Sequence, residues 1–152
     1  MQGKMVSKEK SMKVKSYIIH RQIKSQDLNH HGTLFAGRAA EWFVEAGLIA
    51  AASLTSPKNV VCVNIHGMVF SKPVHVEKIL KFESKVVSTG RTRIVVHVKI
   101  LFSHNDEMVL NGFLTFVHVN EKGLPVPHGI TIEPEDPEDI ELNRQAKKLT
   151  LR

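Results

Sequence analysis

The chain has 152 residues, of which 42% are apolar and 24% are charged, and its formal net charge is +6. This length suits one domain and leaves no room for a second full core, and the composition is that of an ordinary globular protein. The single cysteine, Cys62, excludes an internal disulfide framework and fits a reducing compartment. We find no apolar run near the roughly 20 residues of a membrane span and no signal-peptide pattern, so we expect a cytoplasmic protein.

The positive charge is concentrated near the amino terminus. Residues 1–24 have a net charge of +6, residues 25–132 of +2, and the remainder of −2. A solvated tail explains such a run, and a surface that attracts phosphate groups is the alternative. Aromatic residues make up only 6%, which disfavours a base-stacking surface for nucleic acid. We expect three parts: a flexible basic tail over 1–13, a folded domain over 14–132, and an acidic, then mixed-charge extension over 133–152.

The predicted elements begin with a strand over 14–24 and a polar loop over 25–32. A helix is predicted over about 34–54, because this stretch is rich in alanine, contains no proline and ends before Pro57. Extended runs separated by turn residues then predict strands over 59–70, 77–89, 91–103, 107–120 and, as a short extra, 130–132. Long consecutive strands favour antiparallel pairing.

The predicted helix is apolar or small around most of its circumference. Its charged exceptions, Arg38, Glu41 and Glu45, are three and four residues apart and share one stripe. A helix of this kind must be buried on most sides. We therefore predict an α+β fold in which an antiparallel sheet of about five strands wraps around one long central helix. The order of the predicted elements, a strand, a helix and then four strands, is that of the hot-dog fold.

The stretch DLNHHGTLFAGRAAEWFVEAG, residues 27–47, resembles the first loop and central helix of hot-dog acyl-CoA thioesterases. Residues 66–93 and 111–127 are similar, in order, to later segments of that family. The helix also resembles the 4-hydroxybenzoyl-CoA thioesterase branch through Arg38 and the Glu-Trp-Phe run at 41–43. The resemblance implies hydrolysis of an acyl-CoA to a free acid and CoA, with no cofactor, because the CoA thioester is the substrate.

The resemblance also implies a catalytic group and an oxyanion site. Backbone N–H groups at the start of the helix, from Phe35, Ala36 and Gly37, would stabilise the developing negative charge. Asn29 would orient the water or the thioester. A loop-capping role is the alternative for Asn29, because asparagine commonly closes turns.

The catalytic acid is the point at which this chain departs from the family. Acyl-CoA hydrolases of this type commonly carry Asp or Glu at the position that Val44 occupies here. We expect Glu45 to act as the general base, with Glu41 as the second choice. Pairing with Arg38 on a solvated helix edge is the alternative for both.

The CoA moiety needs basic groups near the surface, because it carries phosphates. For Arg91 and Arg93, the alternative is a solvated hairpin tip without a ligand. None of the nine histidines forms a metal-binding pair, so we expect no metal. The residues predicted to contact the substrate are Gly32, His31, Lys72, Gly90, Arg91, Thr92 and Arg93.

The resemblance implies a homodimer with its site between subunits, and a trimer of dimers as the larger assembly, with neither nucleic acid nor membrane as a partner. Three other functions remain open from the sequence. A non-catalytic acyl-CoA sensor of the same fold is consistent with Val44. A dehydratase would use His31 as its loop histidine, and a binder of nucleic acid or anionic surfaces would use residues 1–24.

Overall fold

The fold is a curved antiparallel sheet that packs around one central helix, α1. In this computed structural model, which describes residues 9–149, the strands of the main sheet follow the order β2-β5-β6-β7-β3, and β4 pairs with β7. The elements are β1 Lys10–Lys13, β2 Ser16–Gln22, α1 Ala36–Ala52, β3 Val60–Ile65, β4 Val69–Phe70, β5 Ile79–Thr89, β6 Arg93–Phe102, β7 Met108–His118, β8 Ile130–Glu133 and α2 Pro137–Leu149.

Small residues let α1 approach the sheet closely, as its composition predicts. Gly47 lies against β7, where an added Cβ would collide with the side chain of Leu114. Phe43, Ala50 and Ala51 are fully buried on the same helix. The observed helix lies inside the predicted range of 34–54, and this part of the prediction is confirmed.

The strand predictions hold for the main sheet, with one difference. The predicted strand over 59–70 is divided into β3 and β4, and both pair with β7. A register shift between Cys62 and Asn64 interrupts β3. Hairpins join β5 to β6 and β6 to β7 in the antiparallel manner that the long consecutive strands predict.

The first of the three predicted parts, a flexible basic tail over 1–13, differs from the structure. Residues 10–13 form β1, which pairs in parallel with β8, so this part of the predicted tail is ordered by backbone hydrogen bonds. Residues 1–8 of the predicted tail lie outside the described residues.

The predicted carboxyl-terminal extension packs onto the domain through α2. Leu142 and Ala146 are buried against Val87 and Val95 on the outer face of the sheet. The Lys85 ammonium lies 2.9 Å from the carboxylate of Asp139. Apolar burial and this ion pair make α2 part of the folded unit.

Candidate active site

Asn29 closes the loop that leads into α1. Its side-chain Oδ1 accepts the backbone N–H groups of His31 and Thr33, at 2.8 and 3.2 Å. The backbone N–H of Asn29 donates to the Thr33 carbonyl at 2.7 Å. Gly32 adopts a φ of +81°, a conformation that favours glycine. The loop-capping role of Asn29 is therefore present, and it uses the oxygen of the carboxamide.

The nitrogen of the Asn29 carboxamide does not take part in closing the loop backbone. Nδ2 donates one hydrogen bond, to the Thr33 hydroxyl at 3.1 Å. A carboxamide nitrogen carries two N–H groups, and within residues 9–149 the second has no acceptor. Asn29 and Thr33 both line a cavity beside α1. The second N–H is thus available to a molecule in that cavity.

The first turn of α1 supplies further donors. The N–H of Phe35 is engaged with the Asp27 carbonyl at 2.9 Å, so Phe35 cannot serve as the predicted oxyanion donor. For Ala36 and Gly37, the described part of the chain holds no acceptor for the backbone N–H. Such unpaired groups carry the partial positive charge of a helix amino terminus. The predicted set of three donors is thereby reduced to two.

The cavity lies between the first turns of α1 and the sheet and has a volume of about 290 Å³. Asn29 and Lys72 lie at its rim, and the buried side chains of Leu80, Ile100 and Leu110 lie deeper. The cavity thus combines a polar entrance with an apolar interior, beside a helix amino terminus.

Glu41 and Glu45 lie on a different face of α1 from this cavity. Glu45 is paired with Arg21 of β2, and Glu41 lies 3.3 Å from the guanidinium of Arg38. Neither glutamate lines the cavity, and none of its described lining residues carries a carboxylate. Within one chain, the structure does not bring the predicted acids to Asn29.

Lys72 is the predicted substrate-binding residue that does reach the cavity. Its ammonium lies 2.9 Å from Glu107, and this hydrogen bond lowers the pKa of the Glu107 carboxyl. His31, by contrast, is exposed and outside the cavity lining, with its ring against that of His30 at 3.9 Å.

The hairpin of Gly90, Arg91, Thr92 and Arg93 lies at the other end of the sheet. It follows the carboxyl end of β5, whereas the cavity is formed near the start of this strand, at Leu80. At about 3.3 Å per residue, the eleven residues of β5 span roughly 33 Å. One chain therefore does not bring these predicted phosphate contacts to the cavity.

Residues 9–149 contain no cluster of three or more His, Cys, Asp or Glu side chains suited to a metal ion. In the same range, neither helix has the length and apolar character needed to cross a membrane.

Sequence reasoning did not single out Thr33 or Ala39. Thr33 follows Gly32 and stands four residues after Asn29, a spacing at which a hydroxyl can meet the side chain that closes the turn. Ala39 lines the cavity but has no signal that separates it from the other alanines of α1. Its position becomes visible only when the helix is packed on the sheet.

The chain is similar to known proteins in both sequence and structure. The family model described as Thioesterase superfamily matches residues 31–107. A Bacillus subtilis (strain 168) protein described as an uncharacterized acyl-CoA thioester hydrolase is 31% identical over 124 residues, covering 79% of this chain and 71% of that protein.

Two solved structures are also similar. An acyl-CoA hydrolase from Staphylococcus aureus, in complex with butyryl coenzyme A, coenzyme A and coenzyme A disulfide, is 27% identical. The match has a TM-score of 0.75 and covers 88% of this chain and 80% of that one. A hexameric hot-dog fold thioesterase of Campylobacter jejuni is 27% identical with a TM-score of 0.63, covering 83% of this chain and 94% of that one. The predicted hot-dog fold is confirmed, and the chain belongs to the thioesterase superfamily as a thioester hydrolase.

Proposed function

We propose that this enzyme hydrolyses an acyl-CoA thioester to a free carboxylic acid and CoA. The observation that carries the proposal is that Asn29 and Ala36, each with an N–H that has no acceptor in the described residues, line one cavity with an apolar interior. The Staphylococcus aureus relative, solved with butyryl coenzyme A, supports the same substrate class.

In the reaction, water attacks the thioester carbonyl carbon and negative charge develops on the carbonyl oxygen. The N–H groups of Ala36 and Gly37 stabilise this oxyanion, because they are already oriented and unpaired. The Asn29 Nδ2–H orients the thioester or the water. When the tetrahedral species collapses, the C–S bond breaks, and the CoA thiolate leaves and takes up the proton that the general base removed from the attacking water. The reaction needs no metal and no cofactor.

The general base in this proposal is Glu45, with Glu41 as the second choice. Both glutamates lie away from the cavity of their own chain, so each would act in the cavity of a second copy. The same argument applies to Arg91 and Arg93, which would reach the CoA phosphates from a partner subunit. We therefore propose a homodimer whose site lies between the subunits.

The edge of the sheet supports this assembly. β3 is the last strand of the sheet, and Val61, Val63 and Ile65 on it are about half exposed. An exposed apolar edge strand is a ready template for pairing with another strand. A second β3 is the partner that we propose for it, and a trimer of dimers is the larger assembly. The hexameric state of the Campylobacter jejuni relative supports the latter.

We also propose that the protein acts in the cytoplasm and in lipid metabolism, since CoA thioesters are its substrates. Release of free thiol from short, long and aromatic acyl-CoAs, in the presence of a metal chelator, tests the activity directly. Turnover of any of them with chelator present supports the proposal. Binding of CoA without release of thiol from any substrate would contradict it.

A further inference from the structure

The cavity beside α1 changes character with depth. Its entrance is formed by polar groups such as Asn29 and Lys72 and by Phe70, which is 43% exposed. Its inner end is formed by Ile100 and Leu110, which are 1% and 0% exposed. A ligand with a polar head and an apolar tail matches this gradient, with its head at the entrance.

The register of the sheet places the apolar lining in one row. Phe70 of β4 lies opposite Leu110 of β7, and Leu110 lies opposite Ile100 of β6. Neighbouring strands are about 4.8 Å apart, so this row spans roughly 10 Å from the edge of the sheet inwards. The row is aliphatic beyond Phe70, which favours a flexible alkyl chain over a ligand that needs polar contacts.

The opposite wall of the cavity is formed by α1, where the chain carries alanines. Ala39 is 1% exposed and lines the cavity, so the space exists because its side chain is a single methyl group. Ala40, the next residue, is half-buried and outside the cavity lining. A larger side chain at position 39 would therefore occupy part of the cavity. A larger side chain at position 40 would leave the cavity open.

The volume limits the length of chain that fits. An apolar cavity of about 150 Å³ holds one benzene molecule, which has six carbons. The observed 290 Å³ is about twice that size, which corresponds to roughly twelve carbons at most. Part of this space is at the entrance, where the thioester itself would lie, so the alkyl part is shorter.

We propose that this cavity is a slot for a linear medium-chain acyl group of roughly six to ten carbons, closed by Ile100 and Leu110 and limited in width by Ala39. The inference rests on the proposed hydrolysis of acyl-CoA and adds its chain-length preference. Each methylene that enters an apolar slot strengthens binding by about fourfold. Affinity should therefore rise steeply with length until the slot is full and then stop rising.

S-alkyl-CoA thioethers test the slot without depending on turnover, because they have no carbonyl to attack. The dissociation constants of the butyl, hexyl, octyl, decyl and hexadecyl thioethers would be measured by calorimetry on the full chain. We expect an increase in affinity of at least tenfold from butyl to octyl and none from decyl to hexadecyl. A flat series, a steady rise to hexadecyl, or a benzyl thioether that binds more tightly than octyl would overturn the proposal.

Ala39→Leu fills the slot, and Ala40→Leu is its matched control on the same helix. We expect Ala39→Leu to reduce the octyl-to-butyl affinity ratio by at least tenfold, and Ala40→Leu to leave this ratio within about twofold of the native value. Equal ratios in both variants would overturn the assignment. If thermal unfolding shows that Ala39→Leu does not fold, Ala39→Val adds less volume and is expected to change the ratio in the same direction.

Free-thiol release from the matching acyl-CoAs separates this proposal from the proposed function. Thioether binding that follows the predicted profile without any release of thiol leaves the slot in place and contradicts the hydrolase. Release of thiol together with a flat thioether series supports the hydrolase and contradicts the slot.

Discussion

Asn29 and Asn120 close two loops with the same four hydrogen bonds, two to the side chain and two between backbone groups. Each side-chain Oδ1 accepts the backbone N–H groups two and four residues later, at 2.8 and 3.2 Å for Asn29 and 2.9 and 3.0 Å for Asn120. Gly32 and Gly123 hold the matching positions with φ values of +81° and +78°. Only the Asn29 loop lines the cavity and adds a bond from Nδ2 to a threonine.

The similarity of the two loops allows the structural and catalytic contributions of Asn29 to be measured separately, with Asn120 as the control. We expect Asn29→Ala and Asn120→Ala each to lose about 1 kcal/mol of stability, because both remove the same loop bonds. Only Asn29→Ala should lower the activity, by at least tenfold. Thermal unfolding and free-thiol release on both variants check this, and equal activity in the two would show that Asn29 serves the loop alone.

Asn29→Asp isolates the amide nitrogen. The aspartate keeps an acceptor for the two loop N–H groups but loses the Nδ2 donor. We expect kcat to fall by roughly 10²-fold, because the donor that orients the thioester or the water is lost, with little change in stability. Asn120→Asp is the control and should leave kcat unchanged. A fully active Asn29→Asp would remove the donor role from the mechanism.

Thr33 is expected to act as a positioning residue for Asn29. Its hydroxyl accepts the Nδ2 hydrogen bond at 3.1 Å and thereby fixes the orientation of the carboxamide, and both residues line the cavity. We expect Thr33→Val to lower kcat by about fivefold, the equivalent of one hydrogen bond, with a smaller change in KM. Thr33→Ser keeps the hydroxyl and should restore kcat. If the role of Thr33 were purely structural, Thr33→Ser and Thr33→Val would change kcat and KM in the same proportions.

Glu45 forms an ion pair with Arg21 that is partly exposed to solvent, so its loss should cost less than about 1 kcal/mol of stability. As the proposed base, Glu45→Ala should lower the activity at least tenfold, and Glu41→Ala should lower it less. Arg21→Gln breaks the same ion pair and keeps the carboxylate. Similar losses of activity in Arg21→Gln and Glu45→Ala would assign the effect to the ion pair instead.

His97 predicts how stability depends on pH. It is 4% exposed, and burial lowers its pKa to about 4, opposed by its contact with Asn111 and assisted by Lys99. The unfolded chain, with a histidine pKa near 6.5, therefore binds the proton more readily. Stability contributed by neutral His97 is complete above about pH 6.5 and is lost as the pH falls towards 4.

The loss for this one group is about 2 kcal/mol between pH 7.5 and pH 5. Urea unfolding of the native chain and of His97→Gln at these two pH values measures it as the difference between their pH dependences. The same pH dependence in both chains would show that His97 does not carry this effect.

Local patterns were sufficient to predict the central helix and the main strands. The range predicted for α1 contains the observed Ala36–Ala52, because helical periodicity and the absence of proline act within a few residues. The pairing of β1 with β8 was missed, because it joins residues about 120 positions apart and its strands have only four residues each. The burial of α2 was missed for a related reason. Leu142 and Ala146 pack against Val87 and Val95, which are distant in sequence and come close only in the folded sheet.

For the site, the sequence by itself determined that Asn29 precedes the helix and that Glu41 and Glu45 share one stripe of it, because both follow from spacing along the chain. Only the tertiary structure decided that Glu45 on this stripe pairs with Arg21 of β2, while Ala39 lines the cavity. Spacing relates the residues of one helix to one another. The direction that each face takes depends on strands from distant parts of the chain, which come together only in the folded protein.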